Sequence, residues 1–205
     1  MTTLATVTGL QELLTKYLDQ FPEEYIIHYA KPKEGSFRMS LGHFLEMNQT
    51  GQLYNRKNFH GHLTASAFII SENAKKILLL QHKSLDRWLQ PGGHIDDTDE
   101  SILAAAYREV EEETGIKPHQ LQLISLGSSP TIPFDIDSHV IPANPKKNED
   151  AHVHHDFRFL LQLKAEANIT ISTLESTSYR WVSVDSLCEI KDHARVANKM
   201  TTTAF

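Results

Sequence analysis

Three glutamates that lie close together in the sequence are the residues best suited to chemistry. They are Glu109, Glu112 and Glu113, in a stretch of residues 91–116 that reads PGGHIDDTDESILAAAYREVEEETGI. At 100° per residue, their side chains fall within roughly 100° of one another on one helix face. Their charges repel, and a hard divalent cation such as Mg²⁺ removes the repulsion because it binds carboxylate oxygens. The spacing therefore favours a metal site, with an acidic, solvated helix face as the alternative.

The helix that must position these glutamates has a start signal, an apolar face and an end signal. Asp97 is expected to cap its N-terminus, with Glu100 three residues later in capping-box spacing. Gly115 stands where a helix C-cap belongs. The strip that would dock the helix onto a core consists of Leu103, Ala106 and Val110.

The order of residues in this stretch resembles the Nudix box, G-x5-E-x7-R-E-U-x-E-E-x-G-U, where U is aliphatic. The matching positions are Glu100, Arg108, Glu109, Val110, Glu112, Glu113, Gly115 and Ile116. One departure precedes the helix: six residues, not five, separate Gly93 from Glu100, and His94 stands where the strict pattern has Gly. Loops tolerate insertions best, so we expect an altered phosphate-facing turn and an unchanged carboxylate helix.

The resemblance implies both a fold and an activity. The expected fold class is α/β, a Nudix-like α/β/α sandwich with a mixed sheet over residues 61–205, with a helical N-terminal extension over residues 1–60. The expected function is that of a Mg²⁺-dependent hydrolase, with Mn²⁺ as a substitute, that cleaves a pyrophosphate bond in a nucleoside diphosphate derivative or a nucleoside triphosphate. The alternatives are a nucleotide-binding sensor or regulator without turnover, and isomerase chemistry on an allylic diphosphate.

The roles of individual residues follow from the same resemblance. The expected metal ligands are Glu109, Glu112 and Glu113, and Gly92, Gly93 and His94 are expected at the substrate. Arg108 would hold one carboxylate through a bidentate pair. Glu100 would support the loop or the metal shell, or only cap the helix. Glu112 is the first candidate for the general base, and the loop alternatives are Asp135, Asp137, Glu149, Asp150 and Glu175.

Hydrophobic periodicity predicts the elements around this helix. Thr8 and Gln11 have capping-box spacing before an amphipathic helix that ends at Pro22. A second helix is expected after Ser36. These helices would form a lid, a dimer surface or a cover for one face of the sheet, and residues 49–60 read as a linker. Strands are predicted as a hairpin over residues 63–71 and 77–82, and over 121–126, 157–164 and 179–184, with a short helix over 184–190.

Residues 128–156 are rich in Pro and Asp and are expected to form a long loop. This stretch carries His139, His152, His154 and His155. With His94 they would line the substrate pocket or bind another cation, and a solvated polar loop is the alternative. His152 and His154 would share a face if the chain there were extended. The sequence contains neither a CxxC nor an HExxH pattern, so no motif typical of zinc sites supports a zinc ion here.

Composition narrows the classes of partner. The net charge of −6 argues against a surface that coats nucleic acid, although a metal cluster still suits small anionic substrates. The one cysteine, Cys188, is expected to be a small buried hydrophobe without a disulfide. Because neither a secretory signal nor a membrane-spanning run is visible, the cytoplasm is the expected location. The amphipathic N-terminal helix permits a homodimer, and the sequence decides neither the substrate nor its base.

Overall fold

The structure is a computed structural model, which describes residues 5–30, 39–48, 52–125, 131–145, 148–190 and 192–202. Its α-helices are α1 (Val7–Gln20), α2 (Tyr25–Tyr29), α3 (Leu41–Met47), α4 (Ile102–Thr114), α5 (Val184–Leu187) and α6 (Ala194–Thr202). Its strands are β1 (His62–Ile70), β2 (Lys76–His82), β3 (Arg87–Leu89), β4 (Gly92–His94), β5 (Leu121–Leu123), β6 (Asp135–Ile141), β7 (His152–Leu163) and β8 (Ser176–Ser183).

The contacts divide the chain into two units. The first comprises residues 1–65, 93–105 and 125–158, and the second comprises residues 66–92, 106–124 and 159–205. The predicted boundary between residues 60 and 61 stays a prediction. None of the helices in the described ranges combines the length and apolarity needed to cross a membrane.

In the first unit, the amphipathic helix α1 buries Leu10, Leu14, Tyr17 and Leu18 along one side. Its cap is Thr6, whose Oγ1 accepts a hydrogen bond from the Gly9 amide at 3.2 Å, so the predicted cap at Thr8 was wrong. The helix ends before Pro22, as predicted. The predicted second helix is α3, and the start expected after Ser36 lies outside the described residues.

The predicted long loop at residues 128–156 was wrong for residues 135–141 and 152–156, which form strands. Strands β6 and β7 form an antiparallel ladder in which Asp135 is opposite Arg158 and His139 is opposite His154. The ladder forms despite the polar sequence because its charged side chains pair with one another: Arg158 contacts Asp135, Asp137 and Asp156. The histidines of this stretch therefore lie on strands, whose backbone positions are fixed by the ladder.

In the second unit, β2 pairs with three other strands. It pairs antiparallel with β8 along most of its length, with β1 at Ile77 and Leu78, and with β3 from Leu80 onwards. The predicted hairpin of β1 and β2 is confirmed. All strands of the path β3-β2-β1-β7-β5 have residues in this unit. Every residue of β1 is buried, as expected for a central strand covered on both faces.

The prediction of a buried Cys188 was wrong. Helix α5 ends at Leu187, which is buried, and Cys188 follows as an exposed C-cap residue whose thiol donates to the Asp185 carbonyl. The apolar run around Cys188 supplies one buried side chain per turn of a short helix, so a neighbouring position on that helix faces solvent.

Candidate functional site

Helix α4 starts later than the sequence indicates. Its first residue is Ile102, and Ser101 caps it, with Oγ accepting from the Ala104 amide at 3.0 Å. Asp97 is exposed in the preceding turn, so the predicted cap at Asp97 was wrong. Glu100 is exposed and lies before the helix, and the buried acid of this turn is Asp99, which accepts from the Asp96 amide at 2.8 Å.

The C-terminal end of α4 is as predicted. Gly115 has φ +74°, and its amide donates to the Glu111 carbonyl at 2.9 Å. This closes the helix in the left-handed conformation that glycine adopts without strain. The next turn of chain is held by the Thr114 hydroxyl, which donates to the Val110 carbonyl and accepts from the Ile116 amide. The glutamates therefore lie on the last two turns of a helix whose end is fixed.

We expect Gly115→Ala to lower the free energy of unfolding by about 1 kcal/mol or more, because alanine is strained at positive φ. Its Cβ would also lie 3.4 Å from Cβ of Thr170. Gly9→Ala in α1 is the matched control, and it should leave stability unchanged or raise it by up to about 1 kcal/mol. Urea unfolding at equilibrium measures both changes. Equal effects of the two variants would contradict this assignment of the helix end.

The three glutamates of the helix face differ in burial. Glu109 and Glu113 are buried, at 8% and 7% exposure, while the Glu112 side chain is 59% exposed. One nitrogen of Arg108, Nη1, lies 2.9 Å from Glu109 Oε1 and 3.3 Å from Glu112 Oε2. Arg108 therefore holds two of the three carboxylates next to each other. Glu111, which is outside the motif, points elsewhere and pairs with Lys117 at 2.7 Å.

Strand β4, which precedes the helix, contacts the third carboxylate through its first glycine. The amide of Gly92 donates to Glu113 Oε1 at 2.9 Å. This bond is charge-assisted when Glu113 is ionised, and it fixes one carboxylate oxygen. Gly92, Gly93 and His94 form the short strand β4, so the turn expected at the glycines was wrong. The sequence predicted that the glycines lie near the glutamates, whereas the particular bond depends on tertiary structure.

Burial gives these carboxyl groups unusual proton affinities. It raises the pKa of Glu109 to about 7, an effect that Arg108 opposes and that Glu112 and Glu175 reinforce. Burial also raises the pKa of Glu113 to about 8, opposed by the Gly92 hydrogen bond and reinforced by Glu175 and its helix neighbours. Buried carboxyl groups that repel one another are stabilised by a bound cation, and such groups cluster at functional sites.

Glu175 is the loop acid that the structure brings to this cluster. The Ser172 amide donates to the Glu113 carbonyl at 3.0 Å, and the Glu175 amide donates back to Ser172 at 3.4 Å. This turn places the charge of Glu175 close enough to raise the pKa of both buried glutamates. The other loop candidates have contacts elsewhere: Asp135 and Asp137 with Arg158, Glu149 with Arg56, and the Asp150 carbonyl with His152.

The donor set fits a hard divalent cation. Carboxylate oxygens of Glu109, Glu112 and Glu113 are adjacent on one helix end, and Arg108 partly neutralises two of them. Oxygen donors of this kind suit Mg²⁺ or Mn²⁺. Such an arrangement is able to bind a cation and, through it, a polyanionic group such as a diphosphate.

The histidines form a second group, in the first unit. The rings of this group are in contact in stacked, tilted and edge-to-face pairs, with the centroids of each pair 4.6–5.4 Å apart. Its members are His62, His94, His152 and His154. His152 and His154 share a face of β7, as predicted for an extended chain. Burial lowers the pKa of His62 to about 4 and that of His155 to about 3, and it also lowers the pKa of His154. His62 was missed because it is the first residue of β1 and belongs to no recognisable motif.

Comparison with known proteins finds a matching family model and related sequences. A family model described as the NUDIX domain matches residues 60–203. A probable DHNTP pyrophosphohydrolase of Lactococcus lactis is 35% identical over 104 residues, 51% of this chain and 55% of that protein. An RNA pyrophosphohydrolase of Francisella philomiragia is 29% identical over 128 residues, 60% of this chain and 79% of that protein.

A solved structure supports the fold. The crystal structure of a C. elegans Ap4A hydrolase binary complex superposes with a TM-score of 0.52 at 21% identity, covering 68% of this chain and 92% of that one. At this identity, the likeness concerns the fold alone. The predicted α/β class with a mixed sheet, helices and an N-terminal helical region is confirmed. The chain spans about half the length of the Lactococcus relative. With its family-model match over residues 60–203, this chain belongs to the Nudix family.

Proposed function

We propose that the chain is a divalent-metal-dependent pyrophosphohydrolase that acts on a nucleoside diphosphate derivative or a nucleoside triphosphate. The observation that carries the proposal is the set of three adjacent glutamates at the end of α4, two of them buried and two joined by Arg108. A binding protein without turnover has no evident need for all three. The names of the two relatives, both pyrophosphohydrolases, support the same reaction class.

In this proposal, Glu109, Glu112 and Glu113 bind the cation, with Mg²⁺ expected and Mn²⁺ as a substitute. A bound cation of this kind neutralises phosphate charge and lowers the pKa of water. Arg108 positions Glu109 and Glu112, and the Gly92 amide positions Glu113. These contacts limit side-chain motion before substrate arrives.

The proton acceptor is one of two groups at the cluster. Glu112 is the most exposed carboxylate of the helix face and can reach a water molecule in solvent. Glu175 is the alternative, because its charge already acts on both buried glutamates. Glu100 is exposed in the turn before the helix, and we assign it at most a supporting role in that turn.

The remaining features of the proposal concern partners. The substrate is a small nucleotide or diphosphate compound. A nucleic acid is not the expected partner, because the net charge is −6. Gly92, Gly93 and His94 are proposed to contact it. A homodimer through the amphipathic N-terminal helix and a cytoplasmic location also stay proposals.

The test is release of phosphate or nucleotide from a panel of nucleoside triphosphates and nucleoside diphosphate derivatives, with Mg²⁺, with Mn²⁺ and with a chelator. We expect metal-dependent turnover that Glu112→Gln lowers by about 10²-fold or more, since base catalysis contributes about that much. Glu111→Gln is the matched control, because Glu111 lies on the same helix turn but pairs with Lys117. Glu175→Gln separates the two candidate bases.

Two outcomes would contradict the proposal. If Glu112→Gln and Glu111→Gln retain equal, full activity, the helix face does not carry the reaction. If nucleotides bind tightly and none is turned over with either metal, the chain is a nucleotide-binding sensor.

A further inference from the structure

Three histidines of the first unit form a group with metal-ligand geometry, and none of them belongs to the acidic cluster. The group is formed by His62 at the start of β1, His94 at the end of β4 and His154 in β7. Each offers one ring nitrogen, and these nitrogens all lie within 4.8 Å of one another. Three imidazoles from three separate strands converge in this way through tertiary structure, so sequence spacing does not reveal the group.

His62 has a ring nitrogen available for such a ligand. The side chain is 0% exposed, and its Nδ1 lies 3.5 Å from the Asn58 carbonyl. A carbonyl only accepts, so this contact assigns the proton to Nδ1 and leaves Nε2 with a lone pair. Among the described residues, Nε2 of His62 has no hydrogen-bond partner. A buried polar atom without a partner costs about 1–3 kcal/mol, which a bound cation would remove.

The tautomer of His154 follows from its neighbour His152. Nδ1 of His152 lies 2.7 Å from the Asp150 carbonyl, so this nitrogen carries the proton and Nε2 accepts. Nε2 of His154 lies 3.2 Å from Nε2 of His152 and must therefore donate the hydrogen bond between them. The unprotonated nitrogen of His154 is then Nδ1. His152 therefore acts as an outer partner that orients a ligand, an arrangement common around protein-bound metals.

Ring contacts fix the orientation of the third histidine. His94 stacks on His62 at 5.1 Å with the planes 28° apart, and it meets His154 edge to face at 5.4 Å and 82°. Its side chain is half-buried. Closely packed rings have few alternative rotamers, so little conformational entropy would be lost when a ligand binds.

We propose that His62, His94 and His154 bind a late first-row transition metal ion, with zinc as the expected one. Nitrogen donors select zinc over Mg²⁺, which prefers oxygen. Three protein ligands leave a fourth position for water or an anionic oxygen. Zinc–nitrogen bonds of about 2.0–2.1 Å place the nitrogens of a tetrahedral site about 3.3 Å apart. A small movement of the rings brings nitrogens that lie within 4.8 Å of one another to such a separation.

This inference goes beyond the proposed hydrolase function, because it uses none of the glutamates. The two proposals share only His94, which the proposed function places at the substrate. The two groups also differ in chemistry: the acidic cluster offers carboxylate oxygens, and the histidine group offers neutral nitrogens. The two sites therefore respond differently to the same metal, which allows one experiment to separate them.

The test is a titration of the full chain with Co²⁺ in the presence of excess Mg²⁺, with the visible absorption of bound Co²⁺ as the measured signal. We expect one equivalent of Co²⁺ to give the intense absorption of a tetrahedral nitrogen site, and Zn²⁺ to displace it. His62→Gln, His94→Gln and His154→Gln should each weaken Co²⁺ binding about tenfold or more. His60→Gln is the matched control, because His60 is exposed two residues before His62. It should bind Co²⁺ as the unmodified chain does.

Further variants keep the outcomes distinct. Glu113→Gln should retain the Co²⁺ absorption even if hydrolase activity is lost, so the two proposals fail separately. The half-buried His94 is the substitution least expected to disturb folding, and thermal unfolding checks each variant. The proposal is overturned if the folded chain lacks the tetrahedral absorption, or if the absorption survives in both His94→Gln and His154→Gln.

Discussion

Glu113→Gln is expected to lower metal-dependent kcat/KM by about 10³-fold, roughly 4 kcal/mol at 1.4 kcal/mol per tenfold change. The side-chain carbonyl of glutamine still accepts the hydrogen bond that the Gly92 amide donates at 2.9 Å, so the contact between β4 and residue 113 is retained. The change therefore removes one negative charge and one cation ligand with little change of shape. Affinity for Mg²⁺ should fall together with kcat/KM, and calorimetric titration measures this.

The raised pKa of Glu113 also predicts how the stability of this variant compares with that of the original chain at different pH values. Burial raises the pKa of Glu113 to about 8, so the folded state holds a proton that the unfolded state releases above a pH of about 4.5. The stability associated with this group is therefore present below pH 4.5 and is lost as the pH rises to about 8. Glutamine carries no such charge, so metal-free Glu113→Gln should be at least as stable as the original chain at pH 8. Urea unfolding in chelator measures this.

Glu111→Gln is again the control, since Glu111 pairs with Lys117 away from the cluster. A Glu113→Gln variant with kcat/KM within threefold of the original and unchanged Mg²⁺ affinity would contradict the assignment of Glu113 as a ligand. Lost activity in a variant that is also less stable at pH 8 would indicate a packing defect instead of a lost ligand.

The C-terminal half of α4 and its end were predictable because local rules govern them. Helical spacing places Glu109 and Glu113 one turn apart, and a glycine at positive φ ends the helix wherever the chain must turn. The start of α4 was less predictable. Asp97 and Ser101 are both good cap residues, and the choice of Ser101 depends on the turn that Asp99 stabilises through the Asp96 amide.

The β6–β7 ladder could not be read from polarity. A stretch rich in Asp and His resembles a loop when each residue is judged alone, because an isolated charge is costly to bury. Asp135 and Asp156 are buried here because Arg158 pairs with both: it lies opposite Asp135 across the ladder and two residues after Asp156 on β7. The pairing of β7 with β1 brings His154 towards His62, which is far away in sequence. Long-range compensation of this kind leaves no local pattern.

Arg158→Met should lower the free energy of unfolding by about 3–5 kcal/mol, the typical result of leaving buried charges without their partner. The Arg158 side chain is 9% exposed. Its Nε lies 3.0 Å from Asp156, Nη2 lies 2.9 Å from Asp137, and Nη1 lies 3.4 Å from Asp135. Burial alone lowers the pKa of Arg158, but the three aspartates outweigh it and raise that pKa. Methionine fills a similar volume and leaves three carboxylates close together.

Arg56→Met is the matched control, because Arg56 pairs with Glu149 at 3.0 Å but is 51% exposed. An exposed pair contributes about 0–1 kcal/mol, so this variant should be nearly neutral. Equal losses for the two arginines, measured by urea unfolding, would contradict the account of a buried ionic cluster.

A second substitution tests whether charge causes the loss at Arg158. Adding Asp135→Asn to Arg158→Met removes one of the unpaired charges, at the aspartate that is 0% exposed. We therefore expect the double variant to be more stable than Arg158→Met alone, whereas Asp135→Asn in the original chain should be destabilising. Such a change of sign indicates coupling between the two residues. If the stability losses of Arg158→Met and Asp135→Asn simply add in the double variant, the loss caused by Arg158→Met comes from packing. Pairing with Arg158 would then not be the reason why the aspartates of β6 and β7 can be buried.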